Sequence, residues 1–166
     1  MDPWLIAVMV GAMALFAFRP ASRRERMYLY SGVLALALVF ISPLCALTVA
    51  LFSARVVHHV VLVALAAPLL ALAIRPRKGL AALLTPLVLL HTVVFWLWPA
   101  PDAYASALSS TAVYWLMQMT LLGSAVLMWA AIFGASAARA IVALLLLTIQ
   151  MGLLGALLVF AGQPLY

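Results

Sequence analysis

Residues 51–76 read LFSARVVHHVVLVALAAPLLALAIRP, and this stretch constrains the fold more than any other. About twenty mostly apolar residues stand in a row, the length that crosses the hydrocarbon core of a bilayer. Backbone amides and carbonyls in hydrocarbon must pair within the chain, so such a run has to be a helix. Arg55, His58 and His59 stand at one end of it, and Arg75, Arg77 and Lys78 close the other. Arg55 and His59 are four apart, so they lie on one face, one above the other. Pro68 interrupts the helix further in. The reading is a kinked membrane helix with a polar outer end.

The rest of the chain repeats the pattern. With 70% hydrophobic and 7% charged residues, it lies outside the range of soluble domains. An all-α integral membrane protein of about six spans is expected, a single transmembrane domain over 1–166. The spans fall at 3–18, 27–51, 56–74, 81–98, 112–133 and 140–161. Pro43 lies near the far end of the second span, and Pro86 is expected to kink the fourth. Pro99-Ala100-Pro101-Asp102 is expected to end that helix and begin a loop. The opening Met1-Asp2-Pro3-Trp4 has no basic segment, so the first apolar run is expected to be retained rather than cleaved. Cys45 is the one cysteine, which excludes an internal disulfide and multi-cysteine metal centres.

Charge gives the orientation. Arg19, Arg23, Arg24, Arg26, Arg75, Arg77, Lys78 and Arg139 fall in alternate loops, and of the 9 basic residues only Arg55 lies on the other side. The basic side faces the cytoplasm, so both termini are expected on the outer, periplasmic side. Trp4, Trp96, Trp98 and Trp115 then lie near the outer surface as an aromatic belt. A net charge of +6 carried in loops between spans speaks for this orientation and against nucleic-acid binding.

The same orientation gathers the unusual side chains. Arg55, His58, His59 and Asp102 lie on the outer side, with Met117, Gln118 and Met119 in the outer turns of the fifth span. Imidazole and thioether ligands suit copper, so His59, Met119, His58 and Met117 are candidate metal ligands. Met117 and Met119 are two apart, however, and point in different directions on a helix. Haem between His58 or His59 and His91 is a weaker candidate, because nothing marks a macrocycle pocket. Ser53 near the histidines makes no ordered triad, and no acidic residue lines the inner half for a proton or solute path. No catalytic residues and no resident cofactor are expected, and the chain is not expected to be an enzyme. Arg55 can snorkel to the interface, or pair with Asp102 if it is buried. His58 and His59 can simply be solvated. His91, inside the hydrocarbon, needs a partner, either a carbonyl freed by Pro86 or a polar group of a neighbouring span. Gly152 and Gly155 allow close helix approach, within the bundle or against another subunit.

The run RRERMYLYSGVLALALVFISPLCALTVALFSARVVHHVVLVALAAPLLALAIRP, from Arg23 to Pro76, resembles the CtaG family of cytochrome c oxidase assembly factors. That family reads as a basic loop, a span ending in Ser-Pro, then His-Met-x-x-His leading into Ala-Pro-Leu-Leu. The likeness resumes at FWLWPAPDAYASAL, around Trp129, and in LLGALLVFAGQPLY. It implies a multi-span membrane protein linked to copper delivery into haem–copper oxidases.

Departures from the family pattern are specific. Arg55 stands where the first histidine of the pair is expected, leaving His59. Pro99 stands where another histidine is expected. The second pair appears as Trp115 and Met119, or as Tyr114 and Gln118 if the register moves by one. The family's terminal span with an Asp-Gln motif is expected to be absent, the sequence closing at Tyr166. A scaffold that has lost most of its ligands implies an accessory subunit or divergent assembly factor, partnered by the oxidase catalytic subunits and by lipid in a bacterial inner membrane. The alternative is a copper chaperone acting through the outer histidine and methionine residues.

Overall fold

The computed structural model describes residues 21–41, 52–74 and 78–160, and every described element is helical. The expected first span, residues 42–51 of the second, and with them Pro43 and Cys45, lie outside the described residues. Three helical stretches are long and apolar enough to cross a membrane: Val56–Ala73, Thr111–Gly134 and Ala137–Leu157. A fourth arises if the bent pair Leu84–Leu97 and Pro101–Ser109 counts as one span. Helices group into two compact units, Met1–Pro76 and Arg77–Tyr166, each described by itself.

In the first unit, α1 (Arg23–Ile41) starts at a capping box. The Ser22 amide donates to Glu25 Oε2 at 2.8 Å, and the Glu25 amide donates to Ser22 Oγ at 3.3 Å. Leu29, Gly32, Ala35 and Val39 form its buried face. They pack on the helix that begins as α2 (Phe52–Val60), passes through a π-helical segment (Val61–Ala66) and continues as α3 (Ala67–Ala73). Pro68 explains the π segment. A proline has no N–H to donate and drives its ring into the carbonyl four residues back, here Ala64. The turn before it widens by one residue instead, with the Ala67 amide donating to Leu62 O. The kink expected at Pro68 is thus taken up as a wide turn. Small residues let the two helices approach closely: a Cβ on Gly32 would stand 3.0 Å from Leu70 Cδ2.

The second unit comprises α4 (Lys78–Ala82), α5 (Leu84–Leu97), α6 (Pro101–Ser109), α7 (Thr111–Gly134) and α8 (Ala137–Val159). Its core joins Leu84 and Val88 of α5 to Met128, Ala131 and Ile132 of α7 and Ala143 of α8. The fourth span breaks at Leu83, before Pro86 rather than at it. Pro86 cannot donate to Ala82 O, so the chain ends one helix early and restarts with Pro86 in the first turn, where its missing amide leaves no helical bond unmade. The Leu83 amide closes a tight turn on Leu80 O at 3.0 Å, and Arg139 Nη2 donates to Ala81 O at 3.0 Å. Arginine thereby answers a carbonyl that the break leaves without its helical partner.

Residues 99–102 differ from the loop expected there. Ala100 is extended, as the residue before a proline must be, but Pro101 is the first residue of a new helix bent 74° from α5. Asp102 in the first turn suits the positive end of the helix dipole, and Ala-Tyr-Ala-Ser-Ala-Leu then propagates it.

The close approach at Gly32 yields a stability test. Gly32→Leu should cost about 1–3 kcal/mol, the range for overpacking. Gly152→Leu, where an added Cβ meets nothing within 4 Å, should stay within about 0.5 kcal/mol. Thermal unfolding of both variants in the same detergent checks this, and equal losses would remove the role assigned to Gly32.

Candidate functional site

Apolar helices leave few side chains able to do chemistry, and the structure gives most of them packing partners. In the first unit His58 is 7% exposed and meets the Phe40 ring edge-on, with centroids 5.3 Å apart and planes at 87°. The solvated position open to it in the sequence is therefore replaced by burial against α1. His59, the next residue, is half-buried. Consecutive helical residues point about 100° apart, so the two imidazoles do not face one point. Arg55 lies one turn before His59 on α2, and its side chain is outside the described residues.

The second unit holds the better-defined polar arrangement. Helices α5 and α7 run antiparallel, and His91, 2% exposed, sits opposite Ser124 with Nδ1 2.9 Å from Oγ. Ser124 Oγ also donates to Leu121 O at 3.2 Å. A hydroxyl has one proton, so with that proton on the carbonyl the oxygen accepts from His91 Nδ1–H. One α-helical turn before Ser124 the arrangement repeats: Trp98 Nε1 donates to Thr120 Oγ1 at 3.0 Å, while Thr120 Oγ1 donates to Leu116 O at 2.8 Å. His91 thus finds its partner among the polar groups of a neighbouring helix, one of the two sources expected. Ser124 and Thr120 were not singled out in the sequence, although two hydroxyls four apart in an apolar helix are the signal that could have found them.

Along α7, Gln118 is 4% exposed and heads the buried face that continues through Leu121, Ser124, Ala125 and Met128. Met117 is half-buried, and Met119 is 47% exposed. Asp102 is exposed in the first turn of α6. Gly152 and Gly155 of α8 have open space where a Cβ would stand, so they mark no close contact among the described residues.

Copper can be tested against these positions unit by unit. His58 and His59 belong to the first unit, Met117 and Met119 to the second. Among the described residues no three of His, Cys, Asp and Glu converge as a metal-binding group. The two histidines are adjacent on α2 and the two methionines diverge on α7, so neither pair by itself aims both donors at one point. What the second unit does offer is two hydroxyl–ring hydrogen bonds that fix the register of α5 on α7.

A family model described as cytochrome c oxidase caa3 assembly factor matches residues 5–166. No curated protein and no solved structure matches the chain.

The His91–Ser124 pair predicts a modest but measurable energy. Polar contacts inside membrane proteins average about 0.6 kcal/mol and reach about 1.7, because the unfolded chain in lipid also finds partners. Ser124→Ala should therefore lower stability by about 1 kcal/mol. His91→Leu combined with Ser124→Ala should recover part of that, since no polar group is then left buried. Unfolding of the single and double variants in one detergent reads the difference; identical midpoints for Ser124→Ala and the parent would show the bond contributes nothing.

Proposed function

We propose, because the chain belongs to the family of cytochrome c oxidase caa3 assembly factors, that it serves a respiratory haem–copper oxidase from within the membrane. Its role is that of an accessory subunit or divergent assembly factor, non-catalytic, acting by helix packing and by binding the oxidase catalytic subunits. The family match over residues 5–166 carries this reading. Three further observations support it. The apolar helices have spanning length. In the second unit His91 and Trp98 are hydrogen-bonded to Ser124 and Thr120 of the neighbouring helix. Large apolar side chains, among them Ile141, Leu145, Ile149, Leu153 and Leu157 of α8, remain exposed for lipid or partner helices.

In this reading the chain is a multi-pass protein of a bacterial cytoplasmic membrane, with six spans and both termini outward. The basic starts of α1 and α8, with Arg23, Arg24, Arg26 and Arg139, face the cytoplasm. The ends of α2 and α6 that carry Arg55, His58, His59 and Asp102 then lie on the side from which copper reaches the oxidase.

Gentle purification from the native membrane, with partner stoichiometry and copper measured in one sample, tests the proposal. One copy per oxidase with no copper of its own is the result expected of a subunit. Substoichiometric recovery with the oxidase, again without copper, is the result expected of an assembly factor. Copper bound to the isolated chain and lost on His59→Ala would instead establish a copper chaperone using His59, with His58, Met117 and Met119 as the next positions to substitute. Absence of any oxidase subunit from the sample, and of any oxidase defect on deleting the protein, would overturn both.

A further inference from the structure

The outward face of α1 carries two features in line. Met27, Tyr30, Leu34, Leu38 and Ile41 are exposed, and their spacing of three and four places them in one stripe. At about 100° per residue, Arg23 falls within about 20° of Leu34, with Arg24 and Arg26 about 80° to either side. All three arginines are exposed. Arg23 stands over the stripe and Arg26 beside it, while Arg24 flanks it at the edge of the face formed by Leu29, Gly32, Ala35 and Val39, which packs inside the unit.

Among the described residues no ion pair answers the three arginines. Glu25 is the one carboxylate in α1, and the same rotation puts it on the opposite side of the helix. Its carboxylate accepts from the Ser22 amide in the capping box. Three arginines in a first turn also oppose the helix dipole, so intrahelical electrostatics gives no reason for them. The stripe is long enough for this: Met27 to Ile41 rises about 21 Å, more than half of the roughly 30 Å hydrocarbon thickness. One leaflet's acyl chains fit that length, and Tyr30 near its polar end suits the headgroup boundary.

We propose that this face of α1 is a binding site for an anionic phospholipid. The phosphate is held by Arg23, Arg24 and Arg26, and the acyl chains lie along Met27, Tyr30, Leu34 and Leu38. The site rests on the membrane location of the chain and is independent of any oxidase partner. A guanidinium near an anionic lipid surface is worth about fivefold in affinity. Removing all three should therefore abolish selectivity, and removing Arg23 alone should lower it about fivefold.

The experiment presents the detergent-purified full chain with equal amounts of dioleoyl phosphatidylglycerol and dioleoyl phosphatidylcholine. Retained lipid is then counted by native mass spectrometry. The parent should keep phosphatidylglycerol in preference to phosphatidylcholine. The triple variant Arg23→Gln, Arg24→Gln, Arg26→Gln should lose the preference, and Arg139→Gln, a basic residue at another place, should retain it. If the triple variant does not insert, Arg23→Gln alone reads the same effect. Equal retention of the two lipids by the parent would overturn the site. So would an equal loss with Arg139→Gln, which would mean diffuse charge. Displacement of phosphatidylglycerol by millimolar inorganic phosphate or glycerophosphate would mean an anion site without a lipid, and would overturn it as well.

Discussion

Every backbone amide and carbonyl of a chain this apolar has to be answered from within the protein, and its prolines are where that requirement bites. Inside a helix a proline removes one donor and crowds a carbonyl one turn back. Three different local solutions follow. Before Pro68 the helix widens, and the Ala67 amide reaches five residues back to Leu62. Before Pro86 the helix stops and restarts, and the exposed Ala81 carbonyl is taken by Arg139. At Pro101 the ring occupies the first position of a new helix, where an amide would have had no partner anyway. The positions of the wide turn, the break and the bend thus follow from one chemical deficit met in three contexts.

Side chains obey the same rule one level up. Apolar contact between helices gains little in lipid, because the surrounding tails are as apolar as leucine. What holds α5 to α7 is close packing plus two hydrogen bonds whose acceptors are hydroxyls. Ser124 and Thr120 each give their proton to a carbonyl of their own helix and so have only lone pairs to offer a neighbour. Donor rings must come from the other helix, and His91 and Trp98 supply them. In the first unit no such pair is needed where Gly32 and Ala35 of α1 meet the alanine-rich π segment and α3, since small residues bring the backbones together.

The sequence foretold those parts of the fold that depend on length and composition. The third, fifth and sixth expected spans begin and end within a few residues of the helices found, because twenty apolar residues admit one solution. It foretold less where the outcome depends on how a proline is accommodated: the break lies at Leu83 rather than Pro86, and residues 101–109 form a helix rather than a loop. The burial of His58 was not legible either, since it depends on Phe40, eighteen positions away along the chain. Thr120 and Ser124 show in the sequence as two hydroxyls four apart in an apolar helix, but that spacing gives no hint of the rings of His91 and Trp98 they meet.

The rotation of α7 also decides how the family resemblance bears on this chain. Two registers were open for the positions that match the family's second histidine pair. One places them at Trp115 and Met119, the other at Tyr114 and Gln118. Gln118 lies at the head of the buried face of α7, in line with Leu121, Ser124, Ala125 and Met128, whereas Met119 turns outward. Of the four positions, Gln118 is the one that the rotation of α7 brings to the packed face. An amide at Gln118 is a poor copper ligand beside an imidazole. The methionine that would suit the metal points away from the packed face, and a coordination set built on it has to be completed from outside the second unit.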